Sequence, residues 1–516
     1  MRLMRNKKML RECQSELILI TACISYLIVR FYLATLSSYP IHGWNEGHYS
    51  LIAKGYFDHS LLIQERGGSI NWAVPPFYSW IVFAFFKLFG ISDINARLTS
   101  IFAAIFAVFF VYLLAKELFD PNVAILSSLF FLVIPWVVRL SGKAQTDMVM
   151  TAFMTASIAC FVYAYNHKKS FIPFGIFFGL ALFTKQPSIL ILAIVGVWVI
   201  FVKDVRLEVL KRSVIPVLIG FIPILVYLIY HIVNGGTSGI AQLVYGVALH
   251  RTSLFSNWNN TLGGLLVGIS PLVLLFTLYE LYKSRDLRTI LVIWLVAYGA
   301  FVLARTPPSH EYYILPLAVP FAILASKGVF SFKDAFALEQ KSRKKIGTIV
   351  AIVVIFSTMP VSFVFLSYHG DLGYTCTKDV VDYLAGTDHG DEILILTPDR
   401  YDPQLRWYSE LNGLKAEVGE LPNDLSLVSL ADLRDLSSST EASKVFLIID
   451  GRGGLEERLE DGGYERVYSS YYWTKLPSAP FEIYTGEKSE SEYFEQHLSV
   501  YKLNYEELLR RGLMEK

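Results

Sequence analysis

Charged residues are scarce in this chain of 516 residues, since Asp, Glu, Lys and Arg together make up only 18% of it. An average soluble domain carries about 25% of such residues, so a purely soluble enzyme is not expected. An intrinsically disordered chain is excluded as well, because disordered chains are poor in hydrophobic residues, whereas 53% of this chain is hydrophobic.

An excess of basic residues is also lacking. The chain has 46 Lys and Arg against 45 Asp and Glu, which is a formal net charge of +1. Proteins that bind DNA or RNA usually show a basic excess or a basic stripe. A nucleic acid is therefore not an expected partner.

Cysteine is rare, and its four copies are scattered along the chain at Cys13, Cys23, Cys160 and Cys376. They form no C-x-x-C pair and no spacing typical of metal ligands, which excludes a disulfide framework. Internal repeats and low-complexity tracts are absent from the sequence too.

What the chain has in abundance is apolar runs near the length of a membrane span, which is about 20 residues. Eleven runs are predicted to cross: 17–36, 98–119, 122–138, 147–165, 171–184, 187–202, 213–232, 262–282, 288–304, 311–327 and 346–366. An aromatic content of 15% fits Trp and Tyr belts at the membrane interfaces. The first run is too long for a signal peptide and lacks a cleavage site, so we expect an uncleaved span.

Basic residues predict the orientation, because Lys and Arg collect in cytoplasmic loops. The basic segments are the N-terminus, 168–169, 203–212, 283–288 and 327–345. They all fall on one side if the short apolar run 77–91 does not cross, so this run is predicted to be a juxtamembrane or re-entrant helix in a long first outer loop. The N-terminus is then cytoplasmic, and the C-terminus lies outside the cytoplasmic (plasma) membrane. A further outer loop is expected over 233–261.

The composition changes at about residue 367, where polar residues become common. Two short apolar runs, 392–396 and 445–449, are bounded by polar residues and predict buried strands of the parallel type. Helical patterns lie at 378–384, 404–411 and 427–433. We therefore expect a polytopic α-helical membrane domain over 1–366 and a small extracytoplasmic α/β domain over 367–516.

Ionisable residues at membrane depth are costly and are functional candidates by default. Glu46 follows the first span and lies among aromatic residues, which suits a general base, although an ordinary solvated loop glutamate fits the sequence equally well. His42, Glu46 and His48 also offer metal-binding side chains, but their spacing matches no established motif. A divalent metal is compatible with the sequence and not required by it.

A second polar segment joins the third and fourth spans on the same side and contains Arg139, Lys143 and Asp147. Two cations and one carboxylate in so short a loop indicate a functional cluster. A simple helix cap is the alternative for Asp147, because a carboxylate at a helix N-terminus interacts favourably with the helix dipole.

Further cations follow at Lys185 and Arg305. Lys185 suits a phosphate at the lipid boundary as a point charge, or else it snorkels to the headgroups. Arg305 is able to bind a phosphate bidentately, and His310, Tyr312 and Tyr313 are able to bind a sugar. The alternative is that this segment only anchors the chain at the membrane interface. Arg30, inside the first span, is interpreted as a snorkelling residue.

The series of motifs over residues 17–325 resembles a known family. The motifs of this series are Asn45-Glu46-Gly47-His48-Tyr49, Pro75-Pro76-Phe77-Tyr78-Ser79-Trp80, Ala96-Arg97-Leu98, the Arg139 to Asp147 loop, Gly179 to Lys185, and His310-Glu311-Tyr312-Tyr313. In this order they resemble the GT-C integral-membrane glycosyltransferases, in particular the protein O-mannosyltransferase and lipid A aminoarabinose transferase group. Two departures are notable, since Asn45-Glu46 offers one carboxylate of an acidic pair and Ala73-Val74 replaces the Glu-Lys of the lipid A branch.

The resemblance implies transfer of a sugar from a polyprenyl- or dolichyl-phosphate donor to a hydroxyl of a protein, glycan or lipid on the outer face, with inversion. It implies catalytic roles for Glu46 and Asp147. Donor-phosphate binding would fall to Lys185, Arg139 and Arg305. Substrate binding would fall to Asn45, His48, Tyr49, His310, Tyr312 and Tyr313. The alternative is a transporter or flippase of lipid-linked sugars, although transporters often show internal repeats and midplane charges.

Overall fold

The protein is described by a computed structural model over most of its length. The described residues are 2–35, 44–66, 69–70, 75–201, 206–248, 258–284, 289–305, 311–335, 340–367, 375–387, 393–398, 401–422, 425, 428, 433, 444–450, 455–461, 465–474 and 494–502.

Helices dominate as far as residue 367. They are α1 Arg2–Thr35, α2 Trp44–Gly55, α3 Phe77–Phe89, α4 Asp93–Leu118, α5 Pro121–Val133, α6 Pro135–Leu140, α7 Thr146–Asn166, α8 Ile172–Thr184, α9 Leu190–Phe201, α10 Arg206–Ala248, α11 Trp258–Ile269, α12 Pro271–Ser284, α13 Ile290–Arg305, α14 Ala318–Asp334 and α15 Gln340–Ser367. Short 3-10 turns, Gln186–Ile189 and Glu311–Leu317, precede α9 and α14. A small hairpin of β1 Glu65–Arg66 and β2 Ser69–Ile70 lies between α2 and α3.

Local sequence explains where several helices begin. Ser92 caps α4 by accepting a hydrogen bond from the Asn95 backbone N–H. Asp120 caps α5 in the same way, and Pro121 occupies the first helical position, where its missing N–H costs no hydrogen bond. Both helix starts were therefore encoded within a few residues of the chain.

Six described helical segments are long and apolar enough to cross a membrane. They are Glu16–Leu33, Asp93–Leu118, Thr146–Asn166, Leu207–Asn234, Tyr312–Asp334 and Lys345–Ser362. Five further apolar helices are shorter. The prediction that the protein crosses the membrane several times is confirmed, whereas the count of eleven spans stays a prediction.

Two predicted spans are broken in the structure. The run 122–138 divides into α5 and α6 at Ile134, immediately before Pro135. The run 262–282 divides into α11 and α12 at Ser270, whose φ is 82° and which precedes Pro271. Proline has no N–H to continue a helix, which favours a break at these two positions. Proline alone does not decide it, because α10 contains Pro216 and Pro223 and α15 contains Pro360 without a break.

The predicted loop over 233–261 is wrong in its first half, because α10 continues to Ala248. The run 77–91 forms the 13-residue helix α3. At a rise of about 1.5 Å per residue this helix is near 20 Å long, which is short of the hydrocarbon thickness of about 30 Å. Its length fits a juxtamembrane or re-entrant helix, and the side on which it ends stays a prediction.

Burial shows which helices lie at the centre of the bundle. The segment Thr146–Asn166 is 78% buried and Tyr312–Asp334 is 83% buried, whereas only 11% of Glu16–Leu33 is buried. The helices α7 and α14 are therefore central, and α1 packs at the periphery with most of its apolar surface open.

A five-stranded sheet with helices follows. It comprises α16 Thr375–Gly386, β3 Ile393–Pro398, α17 Asp402–Leu411, β4 Ala416–Leu421, β5 Lys444–Asp450, α18 Leu455–Asp461, β6 Glu465–Thr474 and β7 Phe494–Lys502. The strand order is β4-β3-β5-β7-β6. The strands β4, β3 and β5 are parallel, while β7 is antiparallel to both of its neighbours.

The sheet confirms the two predicted parallel strands as β3 and β5, and it adds three strands that the sequence analysis missed. The predicted helices 378–384 and 404–411 are confirmed as parts of α16 and α17. The predicted helix 427–433 lies mostly outside the described residues.

The sheet domain contacts the helical bundle through α17. Asp93, at the start of α4, accepts hydrogen bonds from Trp407 Nε1 at 2.7 Å and from the Tyr408 hydroxyl at 3.2 Å. The Trp407 ring also stacks on Phe86, with ring centroids 5.8 Å apart. The helix α17 therefore lies against the same part of the bundle that contains α2, α3 and the start of α4.

Candidate active site

Glu46 lies in the first turn of α2 and is only 1% exposed. Its Oε1 atom accepts a hydrogen bond from the Ala144 backbone N–H at 2.7 Å and another from Arg97 Nε at 3.2 Å. A solvated loop glutamate is therefore ruled out. Charge-assisted hydrogen bonds of this kind are short and directional, so they fix the position of the carboxylate.

Asp147 is the second buried carboxylate, at the start of α7. Its Oδ1 atom accepts from Lys185 Nζ at 2.8 Å, and its Oδ2 atom accepts from Gln145 Nε2 at 3.1 Å and Thr146 Oγ1 at 3.4 Å. These partners are side chains, and Gln145 occupies the cap position of α7. Asp147 thus still lies where the helix dipole favours a negative charge, but it pairs with a distant lysine as well.

Lys185 lies between Asp147 and two tyrosine rings. Its Nζ atom is 4.4 Å from the centroid of the Tyr313 ring and 5.0 Å from that of Tyr312. A cation over an aromatic face gains electrostatic stabilisation. With a side chain only 12% exposed, Lys185 does not extend into a headgroup layer, so the snorkelling alternative is wrong.

Residues of α2 next to Glu46 reach the same group. The side chain of Asn45 hydrogen-bonds to the Tyr312 hydroxyl. Burial raises the pKa of Tyr49 to about 12, with Lys185 opposing that shift and Asp147 adding to it. Tyr49 therefore stays a neutral hydroxyl at physiological pH and is able to donate a hydrogen bond. His48 is buried and its ring lies edge-on to that of Tyr49.

Arg139 and Lys143 occupy the loop that leads into α7. The Arg139 guanidinium lies 5.6 Å from the centroid of the Trp136 ring. Burial lowers the pKa of Lys143 well below its ordinary value, Arg139 and Arg97 lower it further, and Glu46 opposes the shift. Lys143 thus lies near enough to Arg139, Arg97 and Glu46 to interact with each of them electrostatically.

Three of the candidate side chains are not among the described ones. His310 and His42 lie outside the described residues, and so does the side chain of Arg305 at the end of α13. Their roles stay predictions. Within the part of the chain that the structure describes, no three His, Cys, Asp or Glu side chains form a group able to hold a metal ion.

Two arginines were not recognised as site residues from the sequence. Arg97 pairs with Glu46, and its presence in an apolar helix was the signal that could have identified it. Arg30 was interpreted as a snorkelling residue, and that interpretation is wrong, because Arg30 is only 2% exposed. Its guanidinium lies against Gly142, where an added Cβ would come within 1.5 Å of Arg30 Nη2.

Together these residues form a buried polar site. The segment 144–147 takes part in the binding of both carboxylates. Ala144 binds one carboxylate through its N–H, and Asp147 supplies the other. Each carboxylate is paired with a cation from a separate helix or turn. Such a site can accept a proton at a fixed carboxylate and stabilise a negative charge that develops nearby.

Comparison with known proteins shows a matching family and a matching fold. The family described as dolichyl-phosphate-mannose-protein mannosyltransferase matches residues 73–233. An uncharacterised protein of Aquifex aeolicus (strain VF5) is 27% identical over 169 residues, which is 32% of either chain. The chain thus aligns with about a third of the length of this relative.

Solved structures resemble the chain over nearly its whole length. ArnT from Cupriavidus metallidurans bound to undecaprenyl phosphate has a TM-score of 0.63 at 13% identity, covering 93% of this chain and 97% of its own. A second structure is the oligosaccharyltransferase AglB from Archaeoglobus fulgidus in complex with an inhibitory peptide and a dolichol-phosphate. Its TM-score is 0.55 at 12% identity, and the match covers 89% of this chain and 74% of AglB. The resemblance to the GT-C fold that the sequence predicts is confirmed.

Proposed function

We propose that this protein is a glycosyltransferase that moves a sugar from a polyprenyl- or dolichyl-phosphate carrier to an acceptor hydroxyl at the outer face of the membrane. The observation that carries the proposal is the buried pair of carboxylates, Glu46 and Asp147, each held by a cation. The relatives of this fold include proteins solved with undecaprenyl phosphate or a dolichol-phosphate bound. We assign the transfer to residues 1–366 and an extracytoplasmic position to residues 367–516.

The proposed reaction begins at the acceptor hydroxyl. Glu46, assisted by Asp147, takes the hydroxyl proton as the oxygen attacks the anomeric carbon from the face opposite the phosphate. A new carbon–oxygen bond forms while the bond from the anomeric carbon to the phosphate oxygen breaks, and its electron pair leaves with the lipid phosphate. The sugar is transferred with inversion.

Cations are required where the leaving phosphate gains charge, because preorganised electrostatic stabilisation is usually a large contribution to such reactions. Lys185, Arg139 and Arg305 are the proposed ligands of the donor phosphate. The Lys185 ammonium is held in place by Asp147 and needs little reorganisation. The loop cation Arg139 is held over the Trp136 ring.

Polar and aromatic side chains next to the carboxylates suit sugar binding. The proposed substrate ligands are Asn45, His48, Tyr49, His310, Tyr312 and Tyr313. The hydrogen bond from Asn45 to Tyr312 and the contact of Tyr313 with Lys185 support a shared pocket for the last two tyrosines. Acceptors of three kinds, proteins, glycans and lipids, remain compatible with such a pocket.

A transporter or flippase of lipid-linked sugars is the other function that the sequence allows. It is not favoured, because the matching family and the AglB relative are both described as transferases. The charges of this site are also held in fixed ion pairs. A transporter would leave the sugar–phosphate bond intact, so donor cleavage distinguishes the two functions.

Glu46→Gln tests the assignment. The amide keeps the size of the side chain and loses its basicity, so we expect sugar transfer to fall about 10²- to 10⁴-fold, the usual contribution of a general base. Membranes containing each variant are incubated with a panel of radiolabelled polyprenyl-phosphate sugars, and consumption of the donor and the labelled product are measured.

Glu208→Gln is the matched control, because Glu208 has a side chain that is 64% exposed on α10. Its transfer rate should equal that of the unaltered protein. Undiminished transfer by Glu46→Gln would remove Glu46 as the base, and intact donor in every reaction with the unaltered protein would contradict the proposed function.

A further inference from the structure

The guanidinium of Arg30 is buried, and two of its nitrogen atoms lack a hydrogen-bond partner within the described part of the chain. Arg30 lies on α1, the most peripheral span, yet it is only 2% exposed. Its Nε and Nη1 atoms have no hydrogen-bond partner among the described residues. Burial of a charged group without partners is strongly unfavourable, so this arrangement indicates a ligand that pairs with the guanidinium when it binds.

The position of the guanidinium is set by contacts with the loop between α6 and α7. Arg30 lies against Gly142, and a side chain larger than hydrogen at Gly142 would overlap the guanidinium. One turn earlier on the same helix, the Tyr26 hydroxyl forms a hydrogen bond of 2.7 Å with Ser141 Oγ. The helix α1 thereby contacts residues 141–142, and the Arg30 guanidinium is buried against the loop whose residue Ala144 binds Glu46.

Two more cations belong to that loop. Arg139 precedes the contact with Arg30 by three residues, and Lys143 follows it by one. Burial and the neighbouring cations Arg139 and Arg97 lower the pKa of Lys143 well below its ordinary value. Lys143 therefore lies near enough to both arginines to interact with them electrostatically.

The nearby carboxylates are already engaged. Glu46 uses Oε1 for Arg97 and for the Ala144 N–H. Asp147 is held by Lys185 on the other side of the loop. Glu46 and Asp147 are thus hydrogen-bonded to groups other than Arg30, and an anion with several acceptor oxygens would supply the partners that Arg30 Nε and Nη1 lack among the described residues.

We propose that Arg30, with Arg139 and Lys143, binds a phosphate group. Guanidinium groups are well suited to phosphate, since they donate several hydrogen bonds in a fixed plane. Because the site adjoins Glu46, we assign the phosphate to the lipid carrier of the donor, an assignment that rests on the proposed function. Arg30 then acts as a binding residue from the first span.

Arg30→Met tests the proposal by removing the charge and keeping a long apolar side chain. Loss of a hydrogen-bonded charge pair should weaken binding of fluorescently labelled undecaprenyl phosphate by about 10- to 100-fold. The dissociation constant is measured with the purified full-length protein in lipid nanodiscs. Arg30→Lys keeps the charge and should retain part of the affinity, and Arg30→Gln serves as a second neutral variant if Arg30→Met does not fold.

Lys87→Gln is the matched control, because Lys87 is an exposed cation on α3. The affinity of this variant for the labelled undecaprenyl phosphate should be unchanged. The thermal midpoint of the ligand-free protein separates a binding role from a structural one. Since Arg30→Met removes an unpaired buried charge, its midpoint should equal or exceed that of the unaltered protein. A lower midpoint with an unchanged dissociation constant would overturn the proposal.

A competition arm distinguishes a lipid phosphate from free phosphate. Inorganic phosphate should displace the labelled lipid only weakly from the unaltered protein. Binding of inorganic phosphate that depends on Arg30, with lipid binding that does not, would overturn the assignment to the donor. Absence of sugar transfer with lipid binding that still depends on Arg30 would contradict only the proposed function.

Discussion

Each carboxylate of the site lies at a position where removal of one partner leaves a buried charge. Asp147 and Lys185 illustrate this, since their side chains are 2% and 12% exposed and 2.8 Å apart. The pair comes from residues 38 positions apart. The sequence indicated each residue as a functional candidate from its place at the end of an apolar run. It did not indicate that they bind each other.

Lys185→Met should destabilise the protein by about 3–5 kcal/mol, because it leaves the Asp147 charge unpaired in the interior. The double variant Asp147→Asn/Lys185→Met should recover most of that loss, since neither charge remains. Thermal unfolding of the purified variants measures both effects. Equal midpoints for the single and double variants would show that the pair contributes little to folding.

The same two variants separate stability from activity. Sugar transfer should stay low in the double variant even when its stability returns, because both the carboxylate and the cation are missing from the site. Recovery of transfer along with stability would argue that the ion pair is only structural.

Among the helices, α17 packs closely against α2, the helix that contains Glu46. A Cβ added to Gly47 would come within 2.8 Å of the Pro403 backbone carbon and oxygen. The ion pair of Lys54 on α2 with Glu410 on α17 adds to this contact. Asp93, at the start of the neighbouring helix α4, also accepts hydrogen bonds from α17. The sheet domain therefore helps to position α2.

Gly47→Ala should lower sugar transfer at least several-fold. The added methyl group meets backbone atoms of α17, which cannot rotate away, so α2 shifts and Glu46 moves with it. Transfer rate and thermal midpoint of the purified variant measure the effect.

Gly196→Ala is the control, because a Cβ at Gly196 in α9 meets no atom within 4 Å. Alanine is favoured over glycine in a helix by about 1 kcal/mol, so this variant should keep its transfer rate and gain slightly in stability. Equal transfer rates for Gly47→Ala and the unaltered protein would show that α17 does not position Glu46.

At the scale of the whole molecule, the orientation depends on whether α3 crosses the bilayer. If α3 does not cross, residue 59 in the first loop lies outside and residue 169 after α7 lies inside. If α3 does cross, both residues lie outside. Because His59 and Lys169 are exposed, they are suitable reporter positions.

Cysteines introduced as His59→Cys and Lys169→Cys in a background without native cysteines should react differently with a membrane-impermeant maleimide. We expect labelling of residue 59 in intact cells and labelling of residue 169 only after permeabilisation. Labelling of both in intact cells would place α3 across the membrane and move the Arg139 to Asp147 loop to the cytoplasmic side.

Local patterns in the sequence were sufficient for most elements. Apolar runs predicted the long helices, and short apolar runs predicted β3 and β5, because periodicity and length act over neighbouring residues. The strands β4, β6 and β7 and the extension of α10 were missed. The strand β4 and the extension of α10 contain glycine, and β6 and β7 mix polar with apolar residues. None of them therefore shows the continuous apolar run that identified β3 and β5.

Composition and periodicity were enough to predict an apolar helical bundle followed by a small α/β domain. They also indicated which charged residues lie at membrane depth, where a charge is costly. The pairing of those charges became visible only in the packed helices. Glu46 binds Arg97 from 51 residues away and the Ala144 N–H from 98 residues away. Such pairs form when helices pack, so no local pattern reports them. Burial of Arg30 against Gly142 follows from the same packing.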